Sequence, residues 1–306
     1  MTRADQKAWL GSSDRYARLR RILALDPATD YHEITELFYY DFQSVMMPQA
    51  VSGFLFTFSA PRMSRILKAS KQVEHHTAKR VVDTALLTGA VMQHGLEPGD
   101  GREAAKRVNA MHRQYDIHQD DFLAVGCEVP ITSLRLAERF GWRTVTETEK
   151  AAVLLHYSKE ARAFGSHRPL PGTLEEAESF WNSYLDTELA FEAQNKELTD
   201  ALLRFVPTLF PAGLGSVLTP LMLAQVDQRI LAACGLREPS GTKKRLSATM
   251  MRQLGKSDPK PDSVKSATDP IGDLQKKLYP NGFDIKGLGT HLSQHAKAQP
   301  SPSAQK

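Results

Sequence analysis

Three residues of this sequence set a chemically useful side chain into an otherwise apolar helical pattern: Arg80, Thr84 and His112. His112 takes the place of an apolar residue on a stripe built from Ala105, Val108, Met111 and Tyr115. A histidine in that setting either ligates a metal or sits in the core with its ring satisfied by a backbone carbonyl, and the spacing leaves both open. Arg80 and Thr84 stand one helical turn apart, so their side chains share a face that Leu87 and Val91 continue. Such a pair could bind a carboxylate or polarise a bound oxygen species. The plainer alternative is a surface arginine beside a threonine that bonds back to its own helix.

The remaining histidines offer less. His32, His94, His118 and His167 fall in polar or loop surroundings. His75 and His76 are neighbours that point to different sides of one helix. His156, beside Val153, Leu154 and Leu155, reads as a core or cavity-edge residue. His291 and His295 have the i,i+4 spacing of a metal pair but no third ligand in their vicinity. No GxGxxG, Walker A loop, GxSxG elbow or HExxH is present, and no histidine has a glutamate three residues before it. The two cysteines, Cys127 and Cys234, exclude a disulfide scaffold, a four-cysteine zinc site and an all-cysteine iron–sulfur cluster.

The elements that must position these residues are helical nearly throughout. Ile34, Leu37 and Phe38 fall at 3–4 spacing over 33–42, with Pro48 expected to end that helix. Pro61 opens another. Ala78, Val81, Val82, Ala85, Leu86 and Gly89 give an apolar stripe over 76–93. A glycine-rich loop, GLEPGDG at 95–101, separates it from a helix over 102–115. Asp120 and Asp121 are expected to cap a helix running to Arg139, with Pro130 kinking or splitting it and Gly141 stopping it. Thr146 with Glu149, and Thr173 with Glu176, are S/T-x-x-E capping boxes. The first opens a helix to Phe164, before Gly165; the second opens one towards Glu197. Alternating strand patterns are absent, so the sequence predicts an all-α fold of about eight to ten helices in orthogonal, globin-like packing. In such a fold, haem held between helices by one histidine is a prominent catalytic option.

At 306 residues, 41% hydrophobic and 24% charged, the chain has the composition of an ordinary globular protein. The formal net charge of +4 is unevenly spread. Residues 237–306 carry 13 Lys and Arg against 6 Asp and Glu, which leaves the rest mildly acidic. The basic balance therefore belongs to a solvated tail, and no nucleic-acid partner is expected. Residues 1–21 are polar and lack the apolar core of a signal peptide, so a cytoplasmic location is expected. The stretch 201–226 has Arg204 as its only charge and contains Pro207, Pro211 and Pro220. It reads as buried helices joined by proline turns, or as an interfacial patch making peripheral membrane contact.

An ordered set of motifs also carries a family resemblance. KRVVDT at 79–84 is followed by RVNAMHRQYDI at 107–117, DDFL at 120–123, RFGWR at 139–143, FG at 164–165, PGTLEE at 171–176 and YPNGFDIKGLG at 279–289. Over roughly residues 30–290 this set resembles the MpaB/latex-clearing-protein oxygenase family. The resemblance implies a globin-like helical domain binding a non-covalent b-type haem. It places His112 as the proximal iron ligand, with Val108 beside the cofactor and Arg80 and Thr84 over the distal face. The rubber-cleaving branch has Lys immediately before that Thr; Asp83 stands here, as in the fungal-type MpaB branch, and is expected to act as a base or to pair with Arg80.

The expected organisation is a polar segment (1–30), a haem-binding oxygenase domain (31–250), a polar linker (251–270), a closing segment (271–292) and a disordered tail (293–306). The expected activity is O2-dependent oxidation of an apolar isoprenoid or aliphatic substrate, such as C=C cleavage. A non-catalytic haem-binding protein and a cofactor-free helical interaction module are the alternatives.

Overall fold

The computed structural model describes residues 14–257 and 270–290, and every regular element among them is helical. In chain order these are α1 (Ala17–Leu23), α2 (Tyr31–Asp41), α3 (Met47–Ser59), α4 (Pro61–Ser70), α5 (Gln72–His75), α6 (Thr77–His94), α7 (Asp100–His112) and α8 (Gln119–Phe140). They continue with α9 (Glu147–Phe164), α10 (Leu174–Glu188), α11 (Ala193–Phe205), α12 (Leu214–Leu223), α13 (Gln228–Ala233), α14 (Gly241–Ser257) and α15 (Pro270–Leu278). The all-α, globin-like expectation holds. Fifteen helical segments replace the expected eight to ten because several are very short, α5 having only four residues.

The longest helix, α8, is the spine. Leu123, Ala124, Cys127, Ile131, Leu134, Ala137 and Phe140 are buried along it, and it packs against α3, α9 and α10. Pro130 lies inside this helix without splitting it. Both capping boxes form as the sequence predicts. The Thr146 hydroxyl accepts from the Glu149 amide while the Glu149 carboxylate accepts from the Thr146 amide, and Thr173 with Glu176 repeats the exchange. Gly165 closes α9 with a positive φ of 123°.

Four local expectations need correction. Pro48 does not end a helix; it occupies the first turn of α3, where its missing N–H would have had no partner. The cap of α8 is His118, whose Nδ1 accepts from the Asp120 amide at 3.2 Å. Asp121 is instead buried, accepting from Arg62 and from the Tyr184 hydroxyl at 2.6 Å, and so ties α4, α8 and α10 together. The helix from Thr173 stops at Glu188, and a new one starts at Ala193. Residues 251–257, expected as linker, are the last turns of α14. Most of the expected linker, and the tail from 293, lie outside the described residues.

Charged groups inside the core are paired. Asp41, at the end of α2, and Glu149, in the first turn of α9, both receive the Arg143 guanidinium, and all three side chains are at most 4% exposed. Arg18 adds a bond to Asp41 at 3.0 Å, and Trp142 Nε1 donates to the Asp41 carbonyl at 2.8 Å.

Glu128 is a buried exception, with only neutral partners: Gln49, Ser52 and Thr132. Burial pushes its carboxyl from 4.5 up to about 7. The folded state therefore holds this proton more tightly than the unfolded chain. Its stabilising effect is complete below pH 4.5 and is lost as pH rises through about 7, on the order of 3 kcal/mol in all. Glu128→Gln should accordingly raise unfolding stability at pH 8 and change it little at pH 4.5. Urea titrations at the two pH values check this, and an equal effect at both would refute it.

Candidate active site on the α6–α7 hairpin

Helices α6 and α7 pack along their lengths, joined by the short glycine-rich turn. Leu87 and Val91 from α6 meet Ala104, Ala105 and Val108 from α7 in a small apolar cluster of their own. This packing fixes the hairpin and brings together the residues singled out in the sequence, because Arg80 and Thr84 lie on α6 while His112 is the last residue of α7.

His112 is held by the end of α9. Its Nδ1 lies 2.9 Å from the Phe164 carbonyl oxygen, which can only accept, so the proton sits on Nδ1 and Nε2 keeps its lone pair. Phe122 and Phe164 meet the ring edge-on, with centroids at 5.4 and 6.4 Å. Burial lowers its pKa, the Phe164 bond opposes this in part, and the nearby Arg80 charge lowers it further. His112 is thus neutral at physiological pH, the form that ligates iron.

Arg80 is desolvated enough for burial to lower its pKa, and the charges of Asp83 and the phenol of Tyr115 act on it in the other direction. Its Nη1 donates to the Thr84 hydroxyl, and that hydroxyl donates to the Arg80 carbonyl at 2.7 Å. Thr84 therefore does bond back to its helix, as the plainer reading holds, but Arg80 is not a surface residue. Arg80, Thr84 and His112 are each only partly buried by accessible surface although Arg80 and His112 are strongly desolvated.

Asp83 faces elsewhere. It is 2% exposed and accepts from Lys79 Nζ, from the Tyr279 hydroxyl and from the Gly289 amide at 2.8 Å. The expected ion pair with Arg80 is not formed; Asp83 pairs with Lys79 instead. The segment 279–290 is clasped at other points as well. Arg107 donates to the Leu288 and Thr290 carbonyls at 2.8 and 2.9 Å, and Leu288, 1% exposed, fills the cluster of the hairpin. A side chain at Gly289 would be strained by its φ of 77° and would have to displace the end of Met111, whose Sδ stands 2.3 Å from a Cβ there.

Of the other described histidines, His118 caps α8 and two pack together. His156 is buried, its Nε2 has no hydrogen-bond partner, and burial pushes it down to about 3. His32, expected in polar or loop surroundings, lies on α2 and stacks on His156 at 5.4 Å. His291 and His295 lie outside the described residues. Among those residues no three His, Cys, Asp or Glu side chains are arranged to hold a bare metal ion. One neutral histidine, partly exposed and with its Nε2 unprotonated, is, however, enough to hold a haem iron. The residues present fit that group. Sequence reasoning missed the Phe164 carbonyl, which a side-chain pattern cannot show, and the clasp formed by Arg107, Asp83 and Tyr279.

An all-helical chain whose residues 38–255 match the model of an oxygenase catalytic domain is, by class, an oxidoreductase. The matching family is described as ER-bound oxygenase mpaB/B'/rubber oxygenase, catalytic domain, and the chain belongs to it. No curated protein matches the chain at a significant level. No helix among the described residues is long and apolar enough to cross a membrane.

Proposed function

We propose that this protein is a b-type haem oxygenase that uses O2 to oxidise an apolar isoprenoid or aliphatic substrate, with C=C cleavage as the reaction type. The observation that carries this reading is the tautomer of His112. Its Nδ1 is committed to the Phe164 carbonyl, which leaves the Nε2 lone pair for a metal, and the Arg80 charge is close enough to act on the ring. When bound, the haem would supply O2 activation. Its iron would be held by His112 Nε2, with Val108 one turn away on α7 packing beside it.

The Phe164 carbonyl fixes the imidazole orientation and raises its basicity, as outer partners of metal-bound histidines do. Arg80 presents a desolvated cation to negative charge developing on oxygen, where a low-dielectric wall makes it most effective. Thr84 holds that guanidinium in place. Asp83 keeps the helix between them in register by gripping the closing segment, a positioning role. The absence of Lys at position 83 favours the fungal-type branch over rubber as substrate.

The test is an absorption spectrum of the chain expressed with ample iron and haem precursor, beside that of His112→Ala, each followed by a pyridine haemochrome assay. The expected result is a Soret band that collapses in the variant. Two colourless samples that fail to reconstitute with haemin would sink the proposal.

A further inference from the structure

The segment 205–226 contains no charged residue, and the structure divides it in two. Val206, Leu221, Met222 and Val226 are buried and anchor it to the core. Between these anchors the chain turns outward. Pro211, Ala212, Leu214 and Val217 are exposed, the last two at 46% and 56%, while Leu209, Phe210 and Leu218 are half-buried beneath them. A 3₁₀ turn at Val206–Leu209 and the prolines at 207 and 211 set the shape of this projection.

Its neighbour is strongly basic. Helix α14 carries five Lys and Arg and no Asp or Glu, with Lys243, Arg245, Arg252 and Lys256 exposed. It is fastened to α12 through Ser247, whose hydroxyl donates to the Leu221 carbonyl at 2.7 Å and accepts from the Gln225 amide at 2.7 Å. Leu246, 56% exposed, adds an apolar side chain to α14. Arg139 reaches Gln225 from α8, and Arg204 stands exposed just before the projection. Among the described residues, Asp227 is bound by Arg229, Asp200 by Lys196, and Glu238 by Lys244 of α14 itself.

We propose that the 207–218 projection and the basic helix α14 form a docking face for an anionic lipid surface. An apolar tip with a cationic flank is the pattern that seats a protein in the headgroup boundary, the tip entering the acyl region and the cations meeting anionic headgroups. A second copy of the chain fits worse, because the described residues of the projection, 207–218, include no acid to complement α14. The inference goes beyond the haem reading and does not depend on it.

The test is flotation of the full chain at physiological salt with vesicles of phosphatidylcholine alone and with added phosphatidylserine. Flotation is expected with the anionic vesicles, falling about fivefold for each basic residue neutralised, as in Lys243→Gln or Arg245→Gln. Val217→Asp, at an exposed position and with folding checked by circular dichroism, is expected to lower it at least tenfold. Protein left in the soluble fraction with both vesicle types overturns the proposal. So does flotation that Val217→Asp leaves unchanged, which would place the lipid contact elsewhere. A dimer by light scattering that Val217→Asp dissociates, without flotation, would overturn it in favour of a second copy.

Discussion

Arg143→Leu is expected to destabilise the fold by about 3–5 kcal/mol, the cost of removing one partner from a buried ion pair. The magnitude follows from what stays behind. Arg143 gives Asp41 bonds of 2.7 and 2.9 Å and Glu149 bonds of 2.6 and 2.9 Å, and both carboxylates are fully buried. Arg18 would still neutralise part of Asp41. Glu149 would be left with only its capping partner, the backbone and hydroxyl of Thr146. The guanidinium also lies 4.7 Å from the centre of the Phe42 ring, so the substitution removes packing as well as charge. Arg143→Lys should fall between the two, since a point charge cannot make both forks. Urea unfolding followed by far-UV circular dichroism reads the effect, and a loss below about 1 kcal/mol would show that the network contributes little.

The second large effect is on rate. Arg80→Ala should lower turnover about 10²–10³-fold, the loss seen when one preorganised donor is taken from developing negative charge. The protein should keep the His112-dependent absorption band, because Arg80 makes its hydrogen bond to Thr84 and not to His112. Oxygen uptake with a detergent-dispersed short-chain prenylated compound, measured beside the spectrum, separates the two. An unchanged rate would remove Arg80 from the mechanism. A lost band would move it from catalysis to holding the cofactor.

Much of this arrangement was legible in the sequence, for identifiable reasons. Helix periodicity and the two capping boxes are local, so the boundaries at Thr146, Phe164 and Thr173 come out where the pattern puts them. Arg80, Thr84 and His112 meet because α6 and α7 are adjacent in sequence and joined by a short turn. What the sequence hid is non-local. Asp121 looks like a cap because it precedes an apolar run, and only the fold shows Arg62 and Tyr184 converging on it. Pro48 looks like a helix terminator because a proline at a helix start and one after a helix end read alike until the neighbouring helix is placed. Asp83 has Arg80 three residues away and Lys79 four away, so local spacing cannot choose between them, and its third partner lies 206 residues further along the chain.

That distance along the chain has a consequence during protein synthesis. Arg107 and the Leu288 carbonyl it binds are 181 residues apart. At about 5–20 residues per second, translation delivers the second on the order of 10–40 seconds after the first. Through that interval the nascent hairpin has all of its proposed ligand and donor residues but not the plug that covers its apolar cluster. Leu87, Val91, Ala105 and Val108 wait with one side open. The hairpin therefore stays open on the ribosome until the closing segment emerges, and its resistance to proteolysis is expected only after that.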